Sequence, residues 1–411
     1  MARTQENWGR EPSHAPAVLA VIFLLCTIAS VVAAKRYLMK KPSDADDAVS
    51  RVPVSSTDRP SPGSQDEEAA AEQRVNEIVA GMTTEQKVGQ LFMVRGNTAI
   101  KLNELVSRIQ AGGVVLFADD FKGKTAEQVQ SMTADLQSAS DGKMLVATDE
   151  EGGTVVRVSR NSRLRSSRFM SPQALYKAGG FERIEEDTRE KCELLHSLGL
   201  NMNLAPVADV CESTRGFIYK RSFGKDAQAT SEYVTTVVRT MKQTPVACCV
   251  KHFPGYGDTR EDTHEKLVVN TKTQEELFAC DLVPFVNAIR YGADAIMLTH
   301  TVVKSVDSET PASLSPDVVA LIRETMGFEG VIVSDGLEMG AINQYSGGDS
   351  GKVCVLAVNA GVDVLCAPKN PVSDYTAVLR AVESGEIDAG RLDESVRRIV
   401  KLKIRLGLYD V

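Results

Sequence analysis

The sequence predicts a single (β/α)8 barrel, a TIM-like α/β fold, preceded by an N-terminal membrane-spanning helix and a disordered linker. Short apolar runs recur along the chain and are continuous rather than alternating, which is typical of parallel strands buried on both faces. Amphipathic helical stretches lie between most of these runs, and this alternation favours an α/β fold. The competing fold is a doubly wound open sheet. It more often has a Gly-rich phosphate-binding fingerprint after its first strand, and this sequence has none there.

The composition is that of a globular protein with a large core. Of 411 residues, 43% are hydrophobic and 25% are charged, so the chain has ample material for such a core. The net charge of −8 argues against nucleic acid as the main partner. The 8 cysteines are not spaced like a disulfide framework or a zinc site, and we expect neither a bound metal nor a cofactor.

The N-terminal region predicts a membrane segment followed by a linker. Residues 1–14 form a tail, and residues 15–34 are almost continuously apolar and long enough to span a bilayer. This segment is either an uncleaved signal anchor or a signal peptide, and its length favours the anchor. Basic residues are more frequent after it than before it, the reverse of the bias expected for an extracytoplasmic domain. Residues 35–73 contain few large apolar side chains, so we expect a flexible linker there.

Residues 74–411 hold the predicted barrel. Its strand-like runs are Leu91–Val94, Gly113–Phe117, Met144–Thr148, Met202–Val207, Val246–Val250, Ala295–Leu298, Gly330–Val333 and Val362–Cys366. Predicted helices include Ala126–Ser138, Gln274–Ile289, Pro316–Thr325 and Ser373–Val382. Residues Asp388–Leu408 predict an amphipathic closing helix with its basic side chains largely on the exposed face.

Charged or imidazole side chains follow five of these runs. They are Asp149 after the third run, Asp209 after the fourth, Lys251 and His252 after the fifth, His300 after the sixth and Asp335 after the seventh. The C-terminal ends of barrel strands meet on one face, where catalytic groups lie. One polar residue at a strand end is usually a turn residue or a helix cap. Five such positions on one face predict an active site.

Asp335 and the loop after the fifth run hold the predicted catalytic groups. Asp335 lies where a buried strand opens into the pocket, and an ionised carboxylate there can attack an anomeric carbon. The alternative role for Asp335 is to cap the next helix. The stretch Lys251–His264 contains a proline and two glycines that favour an irregular loop, and it ends in Asp262-Thr263-His264. A carboxylate two residues from an imidazole can select its tautomer, as a general acid/base requires.

A second dense loop predicts substrate binding. It runs from Asp149, whose carboxylate can accept hydrogen bonds from hydroxyl groups, to Arg157, whose guanidinium donates in a fixed geometry. Its paired glycines allow the close approach of a ligand. The alternative is a glycine turn with a surface ion pair. Arg221, which follows a lysine and precedes Ser-Phe-Gly, fits a binding role and a solvated surface charge equally well.

Together these motifs resemble glycoside hydrolase family 3, and most closely its bacterial β-N-acetylhexosaminidase branch, which acts on β-N-acetylglucosaminides from peptidoglycan. The resemblance covers about Val75 to the C-terminus. It is carried by Lys-His-Phe-Pro-Gly-x-Gly with Asp-Thr-His, Asp-x-Glu-Gly-Gly with its later arginine, Leu-Ala-Pro-Val-Ala-Asp, Arg-Ser-Phe-Gly and Ser-Asp-x-Leu-x-Met. Two positions depart from the pattern. Tyr256 stands where this branch commonly has histidine, and Gly336 stands where aspartate is frequent.

The resemblance implies a retaining mechanism with Asp335 as nucleophile and the Asp262–His264 pair as acid/base. It also implies sugar binding by Asp149, Arg157, Arg221, Lys251 and His252. Many members carry a second α/β domain that supplies the proton donor. Here the predicted barrel extends to the C-terminus, so we expect the donor to come from the Asp262–His264 loop. The implied amino-sugar substrate lies outside the cytoplasmic membrane. We therefore expect a single-pass cell-membrane protein with an extracytoplasmic barrel, or a secreted protein if the segment is cleaved. We also expect a monomer.

Other interpretations remain open. Phosphorolysis would use phosphate in place of water, and an imidazole would repel that anion less than a carboxylate would. A β-glucosidase or β-xylosidase specificity fits the histidine loop less well. A metal-dependent barrel hydrolase would use His252, His264, His300 and Asp335, but the usual paired histidines of the first strand are missing. A wall-binding protein without activity is disfavoured because both candidate catalytic groups are present.

Overall fold

The computed structural model of the protein describes residues 65–96, 100–257, 259 and 267–409. The predicted tail, the membrane segment 15–34 and most of the predicted linker lie outside the described residues. Within the part of the chain that the structure describes, no helix has the length and apolarity needed to cross a membrane.

Eight parallel strands form the barrel, and two more strands lie outside it. In chain order the strands are β1 (Phe92–Val94), β2 (Gly113–Leu116), β3 (Leu145–Thr148), β4 (Met202–Asn203), β5 (Ala247–Phe253), β6 (Val269–Asn270), β7 (Ala295–Leu298), β8 (Val302–Val303), β9 (Val331–Ser334) and β10 (Leu365–Cys366). The barrel order is β10-β1-β2-β3-β4-β5-β7-β9, and β6 and β8 pair with each other. A parallel bridge from Val333 to Val364 joins the two ends of the sheet. The predicted barrel is therefore confirmed.

Helices surround the strands. They are α1 (Gln65–Ala80), α2 (Thr84–Gln90), α3 (Leu102–Ile109), α4 (Ala118–Phe121), α5 (Ala126–Ser138), α6 (Pro172–Ser197), α7 (Ala227–Lys242), α8 (Gln274–Glu276), α9 (Val283–Arg290), α10 (Pro316–Ala320), α11 (Gly340–Tyr345), α12 (Ser350–Ala360), α13 (Pro371–Glu383) and α14 (Ala389–Arg405). Two π-helical turns, Leu277–Asp281 and Leu321–Thr325, continue the predicted helices that begin at Gln274 and Pro316.

Local signals in the sequence explain where several helices begin. Thr83 and Gln86 form a reciprocal capping box at the start of α2, and Thr125 and Gln128 form another at the start of α5. Each box satisfies two backbone N–H groups that a helix N-terminus leaves unpaired. The side chain of Asp388 accepts from the N–H of Arg391 and caps the start of α14.

Three boundaries differ from the predictions. The fourth run gives only a short strand because the chain turns at Asn203, where the N–H of Ala205 donates to its carbonyl over 2.8 Å. The fifth run continues to Phe253, so Lys251 and His252 lie within β5 rather than after it. Helix α1 begins at Gln65, within the last residues of the segment predicted as a linker. This helix is rich in Ala and Glu, which are strong helix formers, and from Val75 onward it buries apolar side chains.

Candidate active site

A cavity of about 300 Å³ opens among the C-terminal ends of the barrel strands. Six of the predicted site residues line it, namely Asp149, Arg157, Arg221, Lys251, His252 and Asp335. Other lining residues include Phe117, Tyr256, Glu338 and Met339. The barrel thus brings side chains from distant parts of the sequence to one pocket, as expected for its C-terminal face.

Asp335 directly follows β9 and is held from two sides. Its backbone N–H donates to the carbonyl of Leu298 on β7 over 2.9 Å. Its Oδ1 accepts from the N–H of Gly336 at 2.8 Å, and its Oδ2 lies 3.4 Å from the hydroxyl of Tyr256. Burial acts to raise the pKa of the carboxyl. The Gly336 N–H and the Lys251 ammonium act against burial, and the pKa is held below its usual value. Asp335 is therefore ionised at neutral pH.

Lys251 is buried and lies between two carboxylates. Its Nζ is 2.7 Å from Oδ1 of Asp149 and 2.7 Å from Oε1 of Glu151. Burial alone would lower the pKa of Lys251, but these carboxylates raise it above its usual value, so the ammonium stays charged. Arg157 approaches the other oxygen of Asp149 at 3.3 Å. Asp149 is thereby held between two cations with its carboxylate at the cavity.

Arg221 forms a two-pronged ion pair with Glu151. Its Nε donates to Oε2 at 2.9 Å and its Nη2 donates to Oε1 at 2.7 Å. Burial would raise the pKa of Glu151, but Arg221 and Lys251 hold it far below the usual value. For Arg221, burial acts to lower the pKa and Glu151 raises it above the usual value. Arg221 is therefore part of a buried ion pair in the cavity wall rather than a solvated surface charge.

The imidazole of His252 is held on both sides. Its Nδ1 lies 2.8 Å from Oδ2 of Asp209, and its Nε2 lies 3.1 Å from Nη2 of Arg221. Because a guanidinium can only donate, Nε2 accepts, and the ring proton is on Nδ1, where it is donated to Asp209. Asp209 also accepts from the backbone N–H of His252 at 3.1 Å and of Tyr256 at 2.7 Å.

His300 supports the backbone beside Asp335. Its Nε2 lies 3.1 Å from the carbonyl of Gly336, so Nε2 carries the proton and donates it. Its Nδ1 then accepts from the hydroxyl of Ser313 at 2.7 Å. These contacts fix the carbonyl of Gly336, the residue whose own N–H binds Asp335. Among the described residues, no group of three or more His, Cys, Asp or Glu side chains is arranged to hold a metal ion.

The paired glycines of the Asp149–Arg157 loop serve packing rather than ligand approach. Gly152 has a φ of +102°, and a Cβ there would lie 2.1 Å from the carbonyl oxygen of Met170. A Cβ on Gly153 would lie 2.7 Å from the side chain of Ser171. Only glycine allows this conformation and contact, so the loop is pressed against the segment before α6.

Two predicted catalytic residues, Asp262 and His264, belong to the segment 260–266, which lies outside the described residues. Their roles stay predictions from the sequence. Three buried carboxylates of the site were not assigned roles from the sequence. Glu151 joins Lys251 to Arg221, Asp209 orients His252, and Glu150 accepts from the backbone N–H groups of residues 157–159. All three lie within or next to motifs that predicted the site, and this position in the sequence was the signal that could have identified them.

Comparison with known proteins agrees with the arrangement of the barrel and its pocket. A model of the "Glycosyl hydrolase family 3 N terminal domain" matches residues 83–402. The chain belongs to glycosyl hydrolase family 3. This family match includes all ten strands and every predicted site residue.

Two curated relatives of this family 3 chain are named β-hexosaminidases. Beta-hexosaminidase A of Pseudoalteromonas piscicida is 29% identical over 334 residues, which cover 74% of this chain and 55% of that protein. The chain therefore spans little more than half the length of that relative. Beta-hexosaminidase of Stenotrophomonas maltophilia is 34% identical over 263 residues, which cover 62% of this chain and 76% of the relative.

A solved structure is similar over most of the described barrel. It is a glycoside hydrolase family 3 β-N-acetylglucosaminidase from Paenibacillus sp. str. FPU-7, with 35% sequence identity and a TM-score of 0.74. The match covers 80% of this chain and 63% of that one. The names of these relatives agree with the β-N-acetylhexosaminidase branch that the motifs indicated.

Proposed function

We propose that the protein is a retaining β-N-acetylhexosaminidase that removes terminal β-linked N-acetylglucosamine, with peptidoglycan fragments as its natural substrates. The observation that carries the proposal is the ionised carboxylate of Asp335 in a strand-end cavity that also holds Asp149, Arg157 and Lys251. An anionic oxygen next to hydroxyl-binding groups suits attack on an anomeric carbon. The names of the relatives support the amino-sugar specificity.

In the first step, an oxygen of Asp335 bonds to C1 of the sugar while the bond from C1 to the leaving oxygen breaks. Protonated His264 gives its proton to that oxygen, so the aglycone leaves as a neutral alcohol and a glycosyl ester of Asp335 remains. Asp262 orients the imidazole of His264 for this transfer. An imidazole has a reference pKa of about 6.5, so it can donate a proton near neutral pH without placing a second anion beside the nucleophile.

In the second step, neutral His264 takes a proton from water as the water oxygen bonds to C1. The ester bond breaks, Asp335 leaves as a carboxylate, and the sugar is released with two inversions and hence retained configuration. His264 ends protonated and Asp335 ionised, which restores the starting state.

Sugar recognition is assigned to Asp149, Arg157 and Lys251, whose charged groups face the cavity. Ionised groups make stronger hydrogen bonds to hydroxyls than neutral groups do. Arg221 and His252 also line the cavity, but their main contacts are with Glu151 and Asp209. We therefore assign these two mainly to orienting the sugar-binding wall, with any direct sugar contact made by their remaining atoms.

The segment 15–34 is proposed to anchor the protein in the cell membrane with the barrel outside. Protease treatment of intact cells tests this, because an extracytoplasmic barrel is cut and a cytoplasmic one is protected. The barrel is proposed to act as a monomer. Sedimentation of the purified protein gives its mass in solution and contradicts this proposal if a dimer is found.

The activity is tested with a chromogenic aryl β-N-acetylglucosaminide, with the matching glucoside and xyloside as specificity controls. We expect release of the phenol from the first substrate only, and nuclear magnetic resonance should show the β-anomer of the sugar forming first. Parallel reactions with added phosphate separate hydrolysis from phosphorolysis. Phosphate-dependent turnover with a sugar 1-phosphate product would contradict the hydrolase assignment, and absence of any turnover would contradict the proposed activity.

A further inference from the structure

Tyr256 occupies the position in the β5 loop where the related branch commonly has histidine. Its side chain is only 6% exposed and lines the cavity. The ring packs edge-on against Phe217 with 5.9 Å between centroids and lies 5.0 Å from the ring of His252. Its backbone N–H donates to Asp209 at 2.7 Å. Both ends of this residue are therefore fixed by the surrounding structure.

The hydroxyl of Tyr256 points to the candidate nucleophile. It lies 3.4 Å from Oδ2 of Asp335, while Oδ1 of the same carboxylate is bound by the N–H of Gly336 at 2.8 Å. A separation of 3.4 Å is longer than a typical O–H···O bond, but catalytic hydrogen bonds are often long before substrate binds. The phenol hydroxyl is a hydrogen-bond donor, and the strength of its hydrogen bond to Asp335 depends on the charge that Asp335 carries at each step.

That charge changes between the two steps of the proposed reaction. Asp335 is an anion before the first step and after the second, but it is a neutral ester in the intermediate. A donor binds a carboxylate more strongly than an ester oxygen. It therefore favours the second step, in which negative charge returns to Asp335, and slightly opposes the first, in which that charge is lost.

We propose that Tyr256 is a positioning residue that donates its hydroxyl proton to Asp335 and promotes release of this carboxylate from the glycosyl ester. The inference rests on the proposed function, since it requires Asp335 to form the ester. It assigns to this tyrosine a preference for one step of the reaction. A residue that only filled space beside the pocket would have no such preference.

The test compares the wild type with Tyr256→Phe, which removes the hydroxyl and keeps the ring in its packing site. The substrate is 2,4-dinitrophenyl β-N-acetylglucosaminide, whose activated leaving group makes the first step fast. Loss of one hydrogen bond to a charged group is expected to slow the second step about tenfold. We expect kcat and KM to fall together while kcat/KM changes less than about threefold. Quenched samples should show a larger fraction of enzyme carrying one N-acetylglucosaminyl group by intact-protein mass.

Tyr219→Phe is the matched control. Tyr219 packs at the edge of the same small apolar cluster as Tyr256 but does not line the cavity, so its loss of a hydroxyl should leave both steps unchanged. Equal falls in kcat and kcat/KM for Tyr256→Phe without extra glycosyl-enzyme would overturn the inference, and so would wild-type kinetics. The proposed function fails separately, if the wild type itself forms no glycosyl ester on Asp335.

Discussion

Oδ2 of Asp209 lies 2.8 Å from Nδ1 of His252, and this contact links the turn after β4 to the imidazole on β5. The same carboxylate accepts two backbone N–H groups from the fifth strand and its loop. Asp209 is fully buried, so each of these hydrogen bonds replaces one to water that is no longer possible. The residue therefore determines both the tautomer of His252 and the path of the chain toward Tyr256.

Asp209→Asn should disrupt this arrangement although the shapes of the two side chains are alike. An asparagine has one acceptor oxygen, so one of the donors now served by two carboxylate oxygens will face an NH2 group. A buried donor left unpaired costs about 1–3 kcal/mol, and we expect a loss of that size in the free energy of unfolding. Urea unfolding measures it, and a change below about 0.5 kcal/mol would contradict the role assigned to Asp209.

Asp335→Asn should abolish turnover and leave the fold intact. An amide is too weak a nucleophile to form the glycosyl ester, so kcat should fall at least about a thousandfold. The matched control is Asp317→Asn, which alters an exposed carboxylate in the first turn of α10 and should keep full activity. Steady-state assays and circular dichroism on both variants provide the comparison. Full activity of Asp335→Asn on a β-N-acetylglucosaminide would contradict the assignment of Asp335 as the nucleophile.

His264→Ala should affect substrates according to their leaving groups. A 2,4-dinitrophenyl group leaves without protonation, so the first step should be nearly unchanged for it, whereas a sugar or alkyl leaving group should be lost far more slowly. Pre-steady-state release of the phenol isolates the first step from the second. The assignment of His264 as the acid is wrong if the rate of the first step falls by the same factor for activated and unactivated substrates.

Glu151→Gln should destabilise the protein strongly. The carboxylate is the shared partner of Arg221 and Lys251, and its loss leaves two buried cations with too little negative charge nearby. Breaking such a buried pair costs about 3–5 kcal/mol. Glu185→Gln is the control, because Glu185 pairs with Arg189 at the surface, where both side chains are about half exposed. Its free energy of unfolding should differ from that of the wild type by no more than about 0.5 kcal/mol. Equal losses in the free energy of unfolding for the two variants would show that the buried network stabilises the protein no more than a surface ion pair does.

The barrel was predictable because its strands are buried on both faces and therefore appear as continuous apolar runs. Strand ends were less predictable, since they depend on hydrogen bonds between neighbouring strands. The register of Lys251 with Met297 extends β5 beyond the apolar run that marked it. The start of α1 was missed because its residues are polar, and only Ala and Glu propensity indicated a helix.

The site was predicted by residue type but not by pairing. Asp149 and Lys251 were both expected at the pocket, yet their 2.7 Å contact joins residues 102 positions apart and has no local signal in the sequence. For the same reason Glu151 was overlooked and Arg221 was left undecided. Gly152 was assigned to ligand approach, whereas the structure shows it pressed against the carbonyl of Met170. Chemistry could be inferred from motifs, but the division between binding and supporting residues required the fold.

Lys403 on α14 provides a test of stability far from the chemistry. It is fully buried, and its Nζ donates to the side chain of Gln90 at 2.6 Å. Burial, with a smaller contribution from Lys143, lowers its pKa from 10.5 to about 7. Between these two pH values the unfolded chain holds a proton that the folded protein lacks. The free energy of unfolding from this group therefore rises with pH across that window, by up to about 1.4 kcal/mol per pH unit.

Lys403→Met removes the buried amine and keeps the length of the side chain. Below about pH 7 the wild type carries the full cost of a buried charge, so the variant should be the more stable there, and its advantage should shrink as pH rises. We expect the gain in the free energy of unfolding, variant relative to wild type, to be about 2 kcal/mol larger at about pH 6.5 than at about pH 9. Lys401→Met, an exposed change on the same helix, controls for the loss of a positive charge and should show no such trend. Urea unfolding at both pH values decides the matter, because a gain for Lys403→Met that is independent of pH means that the amine has an ordinary pKa in the folded protein.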